Sequence, residues 1–249
     1  MNIRSTLRRA TLLAFLLSLL STALYAGTVM TGKQQSPARG SSEQKIYLDG
    51  GRLRVEVTGE AGGERGRVMI YRADTGTLWM LNAADKSYLE MPTGRGPSGR
   101  MMRREGAPGG PGAPSKPVFA KTAADVQVNG FTTDKYEGTR DGAKVEEVWA
   151  ADPKAVAVAA EDLQALKSLA ERLGALGGAP GRPPRGGGFA LAAPGVPGVP
   201  VRIIRYDDGQ ALSQMDITSI RQEAVPAALF EVPAGYTKRE MGPPPGRPN

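Results

Sequence analysis

The tightest constraint on this chain is a series of turn signals set between alternating apolar and polar residues. "IYLDGGRLRVEV" turns at Asp49-Gly50-Gly51, and "RVMIYRADTGTLWMLN" turns at Asp74-Thr75-Gly76. "LNAADKSYLEM" turns near Ala83-Ala84, and "VQVNGFTTDKYEGT" at Asn129-Gly130. "YEGTRDGAKVEEVW" turns at Asp141-Gly142, and "VRIIRYDDGQALSQMDI" at Asp208-Gly209. Primed hairpin turns need positive φ, which Gly, Asn and Asp adopt at the least cost. Such signals at this spacing predict consecutive antiparallel strands, a meander.

One segment breaks the period of two. "EDLQALKSLAERLGAL" places Leu163, Leu166, Leu169 or Ala170, Leu173 and Leu176 on one helical stripe. Glu161 and Asp162 at its start suit the helix dipole, and Gly177 is a stop. Asp152-Pro153 supplies an N-cap and a first-turn residue, so the helical region is allowed to start there. The stripe has to bury itself, and one face of the sheet is the obvious partner. The expected fold is mainly β with one main α-helix: a curved antiparallel sheet, or half-open barrel, covered by that helix.

Two stretches interrupt this pattern. Residues 94–117, "GRGPSGRMMRREGAPGGPGAPSKP", and residues 177–198, "GGAPGRPPRGGGFALAAPGVPG", are dominated by Gly and Pro. Such compositions bury too little apolar area to offset chain entropy, so both read as flexible inserts in a single domain spanning 27–236. "GRGPSG" fits G-x-G-x-x-G, but Pro97 sits inside it and more Gly and Pro follow, where a dinucleotide loop has to lead directly into a helix. Residues 237–249 read as a disordered tail.

The first 26 residues have the pattern of a secretory signal peptide. Arg4, Arg8 and Arg9 precede the apolar "ATLLAFLLSLLSTALYA", which ends in small residues. Cleavage is expected after Ala26 or Ala23, with an uncleaved anchor as the alternative. The apolar run is short for a spanning helix. A bacterial periplasmic or secreted location follows, with membrane contact only through the signal segment before cleavage.

The sequence contains no cysteine and no histidine. That excludes a thiolate nucleophile, a Cys/His zinc site, His-ligated haem, a Ser-His-Asp triad and disulfides. The formal net charge is +7, but the signal, the two inserts and the tail together carry more than that. The remaining body is therefore net acidic, which argues against a nucleic-acid partner. Met101-Met102-Arg103-Arg104 forms a basic, apolar island in the first insert. It reads either as solvated linker or as a contact for anionic lipid or an acidic partner.

Two pairs of adjacent carboxylates are candidates for acid-base sites. Glu146 and Glu147 should point to opposite faces of a strand. Asp207 and Asp208 read as turn chemistry before Gly209. No catalytic, metal or cofactor residues are assigned, and no enzymatic activity is expected. Several strands are apolar on both faces, among them "LWML", "VEEVW" and "VRIIRY". That pattern means both faces are covered. Ordinary core explains it, and so does a cavity for an apolar ligand, lined by Trp79, Leu81, Trp149, Ile203 and Tyr206.

The closing stretch "LFEVPAGY" reads as a clasp. Phe230 and Val232 are expected on one face of a strand. Pro233 and Gly235 are expected in a type I turn over Val232–Gly235, with Tyr236 folding back. With "YRADTGTLWMLNAADKSYLEMP", "VNGFTTDKYEGTRDGAKVEEVWAAD" and "GVPVRIIRYDDG", this closing motif resembles an exported bacterial family of unknown function. That family is related to the LolA/LolB-like fold of lipoprotein carriers. The resemblance implies a half-open barrel with an apolar inner face and supplies no catalytic residues. The expected function is non-enzymatic binding in the periplasm, with an apolar cavity for a lipid, an acyl chain or a lipidated partner. The alternative is an envelope interaction or sensing module acting through the basic loops. A monomer is expected.

Overall fold

The computed structural model describes residues 27–240, apart from 39, 60–65, 93–114, 178–192 and 194. The expected signal segment, most of both inserts and the end of the expected tail lie outside the described residues. Among the described residues, twelve strands follow in chain order. They are β1 (Gly27–Ser36), β2 (Gly40–Asp49), β3 (Arg52–Gly59), β4 (Arg67–Arg72), β5 (Thr77–Asn82) and β6 (Ser87–Pro92). Then come β7 (Val118–Val128), β8 (Phe131–Arg140), β9 (Ala143–Ala151), β10 (Val199–Asp207), β11 (Gln210–Glu223) and β12 (Thr237–Arg239). The helix α1 (Ala160–Gly177) connects β9 to β10, and a short 3-10 helix, Ala227–Phe230, follows β11.

All the described strands form one unclosed sheet, ordered β12-β6-β5-β4-β3-β2-β1-β11-β10-β9-β8-β7. The turn signals sit where they were expected. Gly50-Gly51, Asn129-Gly130, Asp141-Gly142 and Asp208-Gly209 each join two paired strands, and both residues of each pair have positive φ. These are the backbone requirements of a type I′ turn, whose twist matches that of the strands it joins. The sequence thus builds two meanders, β1–β6 and β7–β11. The antiparallel β1–β11 pair joins them, with Gly27 opposite Glu223 and Gln34 opposite Met215.

Cross-strand register assigns the two faces. Met30, Ile46, Val55 and Met69 lie level with one another, as do Leu48, Leu53, Tyr71 and Leu78. This inner face continues through Met215, Ile203 and Val148, all almost fully buried. Helix α1 lays Ala165, Leu166 and Leu169 onto it over β3 and β4. Asp162, in the first turn of α1, accepts a 3.0 Å hydrogen bond from the Gly51 N–H. The β2–β3 turn therefore pins the helix start. Burial raises the Asp162 carboxyl pKa, and the Gly51 N–H only partly opposes the shift. Further along the face, Phe119 lies directly on Gly138. A Cβ there would sit 2.6 Å from the ring, so only glycine permits the contact.

Four expectations change. The helix starts at Ala160. Asp152 instead caps a separate turn, with its Oδ1 accepting from the Lys154 N–H at 2.9 Å. The tail is shorter than expected, because Thr237–Arg239 pair parallel with β6. In the second insert, Ala193 and Val196 are buried against the inner core. In the closing stretch, Phe230 belongs to a 3-10 helix rather than a strand. The turn there runs Pro233–Tyr236, with a 3.3 Å hydrogen bond from the Tyr236 N–H to the Pro233 carbonyl. Gly235 occupies its third place at φ 83°, a type II position that favours glycine and differs from the type I turn expected.

Candidate functional site

The five residues expected to line a cavity do not share a surface. Ile203 is on the inner face, level with Val148 and Met215. Trp79 and Leu81 are on the outer face, level with Ile70 and Val68. Trp149 is also outward, level with Lys135 and Arg202, and Tyr206 bonds to Glu147 on that same side. Apolar residues occupy both faces for two separate reasons, and the outer ones form two different patches.

The first outer patch surrounds Phe230, which is fully buried with Ile70 and Leu81 and flanked by Tyr47, Val68, Trp79, Tyr88, Val225 and Tyr236. Ion pairs and hydrogen bonds hold the C-terminal segment over it. Arg54 donates to the Leu229 carbonyl at 3.1 Å, and Arg72 reaches Glu231 at 2.5 Å. Lys238 pairs with Glu90 at 2.9 Å, and Arg239 pairs with Asp85. Glu90 also accepts the Trp79 indole N–H at 3.0 Å. The Lys238 bond, then the Trp79 bond, hold its carboxyl below the usual range. Phe230, Val232, Pro233, Gly235 and Tyr236 are thus parts of a strap across β3–β6, with Val232 half-buried.

The second outer patch lies on β8–β11 and is covered by charge. The Lys135 ammonium is 4.8 Å from the Trp149 ring centre, and the Arg202 guanidinium is 5.8 Å from it. Lys135 continues to Glu147 at 2.8 Å, and Glu147 accepts the Tyr206 hydroxyl at 2.5 Å. Lys144 lies 3.5 Å from Glu147 and 4.4 Å over the Tyr206 ring. Burial pushes the Glu147 carboxyl up, but Lys135, Tyr206 and Lys144 outweigh it and leave the group below the usual range. Burial, then the Glu147 bond, pushes Tyr206 up to about 12. Asp216 is satisfied likewise by Arg202 at 2.6 Å, Gln214 at 2.6 Å and Asn129 at 3.2 Å.

Glu146 points the other way and pairs with Arg205 at 3.1 Å. The adjacent carboxylates diverge and each is neutralised by a base, so they do not form an acid-base pair. Asp208 sits in its turn at φ 47°. Among the described residues, no three of His, Cys, Asp or Glu gather as a metal site would require.

The inner face has an apolar and a polar end. Along β2, alternate residues Leu48, Ile46, Gln44 and Ser42 are buried in turn. Gln34 on β1 is level with Ser42, and Gln44 donates to its side-chain oxygen at 2.6 Å. Sequence reasoning placed none of these three. The alternation of "SSEQKIYLD" carried the signal: extending the inward period back from Leu48 and Ile46 lands on Gln44 and Ser42.

A family described as a domain of unknown function, DUF4412, matches residues 27–236. Among solved structures, the chain is similar to an uncharacterized conserved protein from Thermus thermophilus. Identity there is 12%, with 91% of this chain and 98% of that one covered, at a TM-score of 0.49. It is also similar to the MucA/MucB complex structure from Pseudomonas aeruginosa, at 11% identity, covering 88% of this chain and 62% of that one, with a TM-score of 0.43. A LolA superfamily protein from Nitrosomonas europaea aligns at 12% identity over 83% of this chain and 90% of that one, with a TM-score of 0.31. No curated protein matches the chain.

Proposed function

We propose a non-enzymatic binding role for this chain, which belongs to the DUF4412 family. The reading is an exported, periplasmic protein that holds an apolar molecule, a lipid or an acyl chain, against the inner face of its sheet. One observation carries it: the apolar inner face is much wider than the helix laid on it. Buried inner residues run from Leu78 on β5 to Val148 on β9, across eight neighbouring strands. At strand spacing this is about 34 Å. A helix with its side chains covers roughly 10 Å of that width. Helix α1 lies over β3 and β4, and farther along the face Met215, Ile217, Val201, Ile203 and Val148 are buried in one cluster with Val158, Ala193 and Val196 of the segments between β9 and β10. An unclosed sheet allows such a face to admit a ligand by a shift of its cover.

The test is native mass spectrometry and solvent extraction of protein purified from its exporting host, followed by titration with an apolar fluorescent dye. The expected result is a co-purifying apolar molecule, and dye binding once that molecule is stripped. Protein that arrives empty and leaves the dye unbound would overturn the reading.

A further inference from the structure

Buried polar side chains almost always find hydrogen-bond partners, so the exceptions are informative. Among the described residues, three buried side-chain atoms lack one: Ser42 Oγ, Gln44 Oε1 and Arg140 Nε. Arg140 lies on β8, far across the sheet from β2. The other two lie two residues apart on β2, both on the inner face. Ser42 is 2% exposed, Gln44 3% and their neighbour Gln34 8%. The single bond from Gln44 Nε2 to Gln34 Oε1 uses one polar atom of each amide. The second amide atom of Gln44 and the Ser42 hydroxyl are left over.

Their surroundings are apolar. Gln44 is level with Val57 on β3 and with Gly32 on β1, and Gly32 is level with Ile217 on β11. Ile217 leans over Gly32 so closely that a Cβ there would lie 3.0 Å from its Cδ1. Gln34 is level with Met215. A buried amide or hydroxyl without a partner costs about 1–3 kcal/mol. Three apolar side chains in these places would avoid that cost and extend the core from Ile46 without a break.

We propose that Ser42 and Gln44 form the polar subsite of the inner face, and that it takes the hydroxyl of an amphipathic ligand whose apolar chain runs along Met215, Ile217 and Ile203. A hydroxyl both donates and accepts, so it satisfies Gln44 in either orientation of its amide and Ser42 at the same time. A fully apolar molecule leaves both groups unmade. This rests on the inner face being a ligand surface and adds which end of the ligand is recognised.

The experiment is competition of 1-monolauroylglycerol and methyl laurate against the apolar dye on the full mature chain. The two probes share an acyl chain and an ester and differ in free hydroxyls. The wild type should bind monolauroylglycerol about tenfold more tightly, the effect of roughly one satisfied buried hydrogen bond. The variant Gln34→Met/Ser42→Ala/Gln44→Met should lose that preference and bind methyl laurate at least as well as the wild type. Ser42→Ala alone, the smaller change, should narrow the preference severalfold if the triple variant fails to fold. Equal binding of both probes by the wild type overturns the subsite and leaves the inner-face reading standing. So does a preference that survives in the folded variants. Failure of the dye and of both probes to bind overturns the inner-face reading itself.

Discussion

The chain's two tryptophans sit on the same outer face and are covered in opposite ways. Trp79 borders a dry patch closed by a separate piece of chain, in which Phe230 is fully buried. Trp149 is closed by side chains of neighbouring strands, Lys135 and Arg202, whose heads are tied to Glu147 and Asp216. The first cover is hydrophobic and non-local. The second is electrostatic and built on adjacent strands. The two patches should therefore differ in size of effect, in pH dependence and in salt dependence.

The strap should show the largest effect. Phe230→Ala should destabilise the protein by about 3–5 kcal/mol, because it removes a fully buried aromatic ring. Urea unfolding measures this, with a red shift of Trp79 emission in the folded state. A loss under about 1 kcal/mol would mean that the strap is not what closes the patch. At the charged patch, Glu147→Gln should cost about 1.5–3 kcal/mol, the range for hydrogen bonds to a charged group. Its readout is the same unfolding curve, and a cost as large as that of Phe230→Ala would erase the contrast.

The pH dependence separates the patches further. Glu147 has a folded pKa below its unfolded value. Its contribution is therefore present above the ordinary glutamate range, near about 4.3, and is lost as pH falls through the folded value. The acid limb of stability against pH should flatten in Glu147→Gln and keep the wild-type slope in Phe230→Ala. Asp162 has the opposite sign: its raised pKa gives stability below the ordinary aspartate value that is lost as pH rises through the folded one. Asp162→Asn should therefore change the curve above about pH 3.9 rather than on the acid side. The smallest effect is expected for Arg72→Ala. Its partners Asp74 and Glu231 are about half exposed, so the loss should be under about 1 kcal/mol and should shrink further in about 1 M salt.

Much of the fold was legible because its signals are local. Asn129-Gly130, Asp141-Gly142 and Asp208-Gly209 adopt positive φ at low cost, Gly for want of a Cβ and Asn or Asp through a short polar side chain, and the leucine stripe of α1 has to be buried. The closing motif also pointed to a family of unknown function, and such a family matches residues 27–236. The candidate site was less legible. Trp79, Leu81, Trp149 and Tyr206 were grouped with Ile203 because two-sided apolar strands show that both faces are covered. They do not show by what. Gln34, Ser42 and Gln44 escaped notice because polar residues in an alternating strand are assigned to the wet face by default. The period of two from Leu48 and Ile46 places Ser42 and Gln44 on the inner side, and the register against Met30 and Val55 shows that this side is buried.

The sequence by itself determined the hairpins, their turns and the amphipathic helix α1. Each depends on a residue's own backbone freedom or on a periodicity within a few neighbours. The tertiary structure alone decided the β1–β11 pair, the parallel docking of β12 on β6 and the burial of Gln44. Those pairings join residues far apart in the chain. Their free energy comes from surfaces that exist only once both meanders have formed.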